Sequence, residues 1–282
     1  MKKILAIALS LILVLGLFAA CGNADNKNSE SDPAVTDPIE TDPIVDDPTD
    51  EGAAFTTVTP GKLTMATNAQ FPPYEYYEGD KIVGIDAEIA EAIANKLGLE
   101  LVIDDMEFNS IITAVSTGAA DMGLAGMTVT DERKLEVNFS TSYAKGVQSI
   151  IVKEGSAITS YDDLAADGAA YKIGVQLGTT GDIYASDEFG TRVTQYNNGS
   201  EAVLALLAGD IDCIIIDNEP AKAFVAANEG LAVLDSSYAD EDYAACFSKN
   251  NEALLNAVNQ AIEELILDGT IDAIIEKYIP AN

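Results

Sequence analysis

The chain has 282 residues, enough for two ordinary domains or one large one, and a hydrophobic fraction of 48% that allows sizeable cores. Asp and Glu total 47 against 15 Lys and Arg, a net charge of −32, which sets the surface against phosphate backbones and excludes nucleic acid as a partner. There is no His, the commonest general base and metal ligand, and no Cys/His metal spacing, so no metal or cofactor is expected and an enzyme is disfavoured.

The N-terminus reads as an export signal over residues 1–20. Lys2 and Lys3 precede an apolar run over 4–18, followed by Ala19-Ala20-Cys21-Gly22. The run is short for a transmembrane helix, and an uncleaved anchor is the alternative reading. The Cys after two alanines resembles a bacterial lipoprotein box, which implies a diacylglyceryl group on Cys21. Phe18 departs from the Leu usual three places before that Cys. From residue 21 to 59 the sequence is acidic and proline-rich, with Asp-Pro pairs at 32–33, 37–38, 42–43 and 47–48. Like charges and missing backbone donors prevent a packed core, so this segment is expected to be a tether.

Beyond Pro60 strands and helices alternate. A strand is expected over 62–67, then a helix capped by Asp86, with Ile89, Ile93 and Leu97 on one stripe and Gly98 as its stop. Strands over 99–103 and 121–124 flank a helix over 109–116. A second series has strands over 150–152, 173–175 and 212–216. Its helices lie over 161–164, after Gly178, from a Ser200 cap to Leu207, and over 219–227. A short strand around Cys246 precedes helices over 252–267 and 271–278, the first with Leu255, Val258, Ile262 and Ile266 as its apolar stripe. The pattern predicts an α/β protein with mainly parallel sheets covered on both faces, in two similar lobes with a cleft between them. Cys213 and Cys246 both fall in apolar strand-like runs, where Cys serves as a small hydrophobe; an exported protein also permits a disulfide.

The chemistry concentrates in Ala125-Gly126-Met127-Thr128-Val129-Thr130-Asp131-Glu132-Arg133, after the strand at 121–124. With Phe71-Pro72-Pro73-Tyr74-Glu75, Gly84-Ile85-Asp86, Phe108-Asn109-Ser110, Gly174–Thr180 and Ile216-Asp217, in this order, it closely resembles the polar amino-acid-binding proteins of bacterial ABC importers, the extracellular solute-binding proteins of family 3. The resemblance spans residues 60–282. It implies a type II periplasmic-binding-protein-like clamshell with a hinge, one lobe over 60–143 plus 247–282 and the other over 147–243, crossing near 143–147 and 243–247.

Its chemistry is that of a free amino acid, whose carboxylate and ammonium must both leave water. Arg133 suits the planar carboxylate. The resemblance implies that the Thr128 hydroxyl and amide and the Gly126 carbonyl complete that end, with Thr180 as a contact from the other lobe at a helix N-terminus. Asp217 is implied as the partner of the ammonium, which needs one when buried. Phe71 and Phe108 are implied as walls around the ligand side chain. Asn68 stands where several basic-amino-acid and glutamine binders have Asp. That substitution favours a neutral polar ligand, unless Glu75 or Gln176 compensates. A monomeric receptor is therefore expected, held by Cys21 at the outer face of the cell membrane (or periplasmic) and delivering its amino acid to an ABC permease. Two other readings are a cyclohexadienyl-dehydratase-like enzyme on the same fold, which needs a pocket proton donor such as Glu75, and a ligand-sensing module with a separate partner.

Overall fold

Two sheets, each made from a parallel centre with antiparallel additions, organise residues 62–248. The structure is a computed structural model that describes residues 55–234 and 239–280; the expected export signal, Cys21 and the tether up to residue 54 lie outside them. The first sheet runs Glu100–Asp105, Lys62–Thr67, Met122–Gly123, Cys246–Ser248, Val137–Phe139. Its first three strands are parallel, and Cys246–Ser248 returns from late in the chain antiparallel to both neighbours. Strands of period two put alternate residues on opposite faces. Leu63 and Met65 meet Ile89, Ile93, Val258 and Ile262 on one side, while Ala66 meets Ile111 and Val115 on the other.

The second sheet runs Val193–Tyr196, Ile173–Gln176, Cys213–Asp217, Ala144–Lys153, Leu231–Val233. Here too the first three strands are parallel, and Ala144–Lys153 is antiparallel to its neighbours. Ile150, Val152, Cys213 and Ile215 pack on one face, and Ile151, Ile214 and Ile216 on the other. The sheets are thus mixed, not mainly parallel. The strand expected over 150–152 is longer. Its first half pairs with Asp240–Tyr243, so the two chain crossings between the halves form one antiparallel ladder. Cys213 and Cys246 are free and buried, one in each sheet, and burial pushes both thiols up to about 12.

Several local expectations are corrected. Helix Ile85–Leu97 starts from Gly84, and Asp86 lies in its first turn with its carboxylate turned elsewhere. Helix Gly199–Ala208 is capped by Asn198, whose side chain accepts from the Glu201 amide at 2.9 Å, and not by Ser200. Asp212 precedes its strand and accepts from the Lys172 amide at 2.7 Å. In helix Glu252–Leu267 the buried stripe is Leu255, Val258, Ile262 and Leu265, while Ile266 turns outward; a step of three continues the inward face where a step of four leaves it. A three-stranded meander, Gln70–Phe71, Glu75–Glu78 and Lys81–Val83, was not expected from such short polar segments. Its turn is set by Gly79, which takes the positive φ of a two-residue hairpin.

Candidate functional site

The loop after Met122–Gly123 carries the first half of the site. Gly126 has φ 52, and a Cβ there would stand 2.9 Å from the Phe71 ring, so only glycine lets the loop pass under that wall. Its amide donates at 2.7 Å to Asp86 Oδ2, which also accepts from the Tyr143 hydroxyl at 2.8 Å. Asp86 thus anchors the loop from below. Burial pushes it up to about 6, against the pull of those donors.

Arg133 opens the short helix Arg133–Glu136 and is buried. Its Nη1 donates to the Thr128 carbonyl at 2.8 Å and its Nη2 to the Gly178 carbonyl at 3.0 Å, so the guanidinium spans both halves. It lies 5.4 Å from the centroid of the Phe108 ring. A guanidinium has five N–H donors, and two bonds leave donors for a carboxylate. Burial pulls Arg133 below its usual range, while Glu241 and Asp217 act to hold it up.

The second half brings two strand ends. Ile173–Gln176 leads into helix Thr180–Phe189, whose cap Thr179 accepts from the Asp182 amide at 3.2 Å. Thr180 is the first helical residue, with its hydroxyl 3.4 Å from that of Thr128. Asp217 ends its strand, buried, and accepts from the Tyr243 hydroxyl. Burial, and then the nearby Glu241 carboxylate, push Asp217 up to about 8.

All eight expected side chains and backbone positions, Asn68, Phe71, Phe108, Gly126, Thr128, Arg133, Thr180 and Asp217, line one cavity. Glu75, Gln176, Ala125 and Thr179 complete its wall. Arg133 offers donors and Asp217 a carboxyl, the pair that a zwitterion requires. One expectation needs correcting on chemical grounds: a carbonyl only accepts, so the Gly126 carbonyl belongs with an ammonium and not with a carboxylate.

At the other end Asn68 is spoken for. Its Nδ2 donates to the Met106 carbonyl at 2.8 Å and its Oδ1 accepts from Gln176 Nε2 at 2.9 Å. Gln176 Oε1 and both Glu75 oxygens are buried and meet no protein donor within hydrogen-bond distance. Burial, and then the adjoining Asp86 carboxylate, push Glu75 well above its ordinary value and favour its protonated form. Glu241 and Gln148, both buried behind Thr128, are polar residues near the site that the motifs did not single out. Among the described residues no group of His, Cys, Asp and Glu is arranged to hold a metal ion, and no helix is long and apolar enough to cross a membrane.

Residues 63–281 match the family model of the bacterial extracellular solute-binding proteins, family 3. The arginine-binding extracellular protein ArtP of Bacillus subtilis (strain 168) is 35% identical over 77% of this chain and 86% of its own. The L-cystine-binding protein TcyJ of Escherichia coli (strain K12) is 31% identical over 83% of this chain and 88% of its own. Among solved structures, an ancestral arginine-binding protein bound to glutamine superposes with a TM-score of 0.74 and 38% identity, covering 79% of this chain and all of the other. With the motifs, the two-lobed fold and these relatives in agreement, the chain belongs to the bacterial extracellular solute-binding proteins of family 3.

Proposed function

We propose that the protein captures a free amino acid in this cavity and delivers it to the permease of an ABC importer. The observation that carries the reading is the placement of Arg133 and Asp217 on one small cavity, a buried donor set and a buried carboxyl contributed by different halves. The lobes over 60–143 with 247–282 and over 147–243 close on it, because a single amino acid bridging Arg133 and Asp217 favours the state in which both are in reach.

The side-chain end supports a polar ligand with N–H donors. Gln176 Oε1 is its open acceptor, and the Glu75 carboxyl stands beside it. Asn68 is neutral, and burial favours the protonated form of Glu75, so a neutral amide meets this end without a change of charge. The protein acts as a monomer, tethered through lipid on Cys21 to the outer face of the cell membrane. A thermal-shift screen of free L-amino acids, followed by calorimetry, tests the reading; no shift with any of them would overturn it.

A second reading keeps a specific observation in its favour. Glu75 lines the cavity and burial favours its protonated form, and a dehydratase of the cyclohexadienyl type needs such a donor. The relatives are named as binding proteins, which favours capture without turnover. Incubation with prephenate separates the two, since only the enzyme would consume it.

A further inference from the structure

Glu241 is the middle of three acids, and the strand Asp240–Tyr243 turns it inward while Asp240 and Asp242 face solvent. A buried carboxylate is costly unless donors meet it. Its Oε2 accepts from the Thr128 hydroxyl at 3.0 Å and from Gln148 Nε2 at 3.1 Å, while its Oε1 meets no protein donor. Gln148 Nε2 also lies 3.4 Å from the Thr180 hydroxyl. Glu241 does not line the cavity; it stands behind Thr128, on the ladder that links the halves.

A threonine hydroxyl has one proton and two lone pairs. The Glu241 oxygen that takes the Gln148 amide proton is an acceptor, so Thr128 must be the donor in their bond. The competing Thr128–Thr180 contact is longer, at 3.4 Å, and has no charge behind it. The single Thr128 proton therefore points back to Glu241, and only lone pairs are left for the cavity. Lone pairs repel a carboxylate and accept from an ammonium.

We propose that Glu241 is a positioning residue for the ammonium end of the site: by taking the Thr128 hydroxyl proton it makes Thr128 an acceptor for the ligand ammonium, beside Asp217 and the Gly126 carbonyl, instead of a donor to the ligand carboxylate. The assignment rests on the amino-acid reading of this cavity. It leaves the carboxylate to Arg133, backbone amides and Thr180. It also explains why a second acid is buried so close to Asp217: the pair faces two cations, Arg133 and the incoming ammonium.

The test compares L-glutamine with its deamino analogue glutaramic acid, and L-arginine with 5-guanidinopentanoic acid, by calorimetry, with the weaker analogues measured by displacement. Glu241→Ala should weaken the amino acids by about tenfold or more, and the deamino analogues by less than about threefold. Thr128→Val should show the same contrast, Thr128→Ser should behave as the parent, and Glu241→Ala added to Thr128→Val should cost nothing further. Melting curves verify that each variant folds. Should Glu241→Ala not fold, Glu241→Gln keeps the volume and should show a smaller loss with the same contrast between the probes. Equal losses for amino acid and analogue, or additive losses on the Thr128→Val background, would make Glu241 a structural residue and overturn the assignment. A parent that binds neither L-glutamine nor L-arginine but does bind glutaramic acid or 5-guanidinopentanoic acid would also overturn it. If the parent binds none of the four, the same comparison is made with the amino acid that the thermal-shift screen finds and its deamino analogue; if no L-amino acid shifts the melting curve, the amino-acid reading fails and the assignment falls with it.

Discussion

Asn68 and Gln176 are joined across the cleft by a 2.9 Å hydrogen bond from the Gln176 amide to Asn68 Oδ1. The bond occupies the one oxygen that Asn68 has and leaves Gln176 Oε1 open to the cavity. An Asp at position 68 would still accept from Gln176, and would add a negative charge beside the side-chain end of the ligand. Asn68→Asp should therefore move preference toward cationic side chains. The affinity ratio of L-arginine to L-glutamine should rise by about tenfold or more, measured by calorimetry. An unchanged ratio would place the ligand side chain elsewhere.

Arg133 holds three things at once: the Thr128 carbonyl, the Gly178 carbonyl and, on the proposed reading, the ligand carboxylate. Arg133→Met removes the partner of that carboxylate and should cost roughly 3–5 kcal/mol of binding, a hundredfold or more in affinity. Small-angle scattering should also find less compaction with ligand, since the contact between the halves through Gly178 is gone. A variant that binds and compacts like the parent would sink the assignment.

Gly126→Ala tests the loop itself. The new methyl would meet the Phe71 ring at 2.9 Å in a backbone region that disfavours side chains, with φ at 52. A loss of roughly 1–3 kcal/mol in stability is expected, together with weaker ligand binding, because the Gly126 amide would pull away from Asp86. A melting temperature equal to the parent's would show that the loop relaxes freely.

The anchor is tested apart from the site. Cys21→Ser should leave the protein unprocessed or release it to the medium, read by fractionation. A chain starting at Thr59 should bind amino acid as tightly as the longer protein. A fully processed, membrane-bound Cys21→Ser variant would rule out lipid at that position.

Why some of this was legible in the sequence and some was not follows from distance along the chain. Gly126, Thr128 and Arg133 sit in one loop, so their spacing is readable without knowing the fold. Glu75 is different. It stands in a short segment, Glu75–Glu78, where two of four residues are acidic, and nothing local says which one is buried. Glu241 is hidden in the same way between Asp240 and Asp242; only its register against Gly146 turns it inward. The first half of Ala144–Lys153 contains Lys145 and Gly146 and lacks a local strand pattern. Its partner lies about a hundred residues away, and pairing over that distance is set by tertiary packing, not by propensity. The helix stripe that ended on Ile266 shows the complementary error, a correct period carried one residue too far.

The acid cluster around Asp217 makes stability and binding respond to pH in opposite directions. Asp217 rises from 3.8 to about 8 on folding, through burial and then the Glu241 carboxylate, with the Tyr243 hydroxyl opposing. An acid raised on folding binds more protons in the folded state than in the unfolded one across that interval. Stability is then fully present below the unfolded value and is lost as pH rises through the folded one. Asp86, raised from 3.8 to about 6, adds to the loss in the lower part of the interval. The ligand-free protein should therefore melt at a higher temperature at about pH 5 than at about pH 8. Asp217→Asn should show a smaller fall between about pH 5 and 8 but still some, because Asp86 and Glu75, both also raised by burial, keep their share of it. A ligand ammonium beside Asp217 favours its ionised form, so binding releases a proton and affinity should rise with pH over the same interval. Calorimetry in buffers of different ionisation enthalpy reads that proton directly. A melting temperature flat from pH 5 to 8, or binding without proton release near pH 6, would mean that Asp217 is already ionised before the ligand arrives.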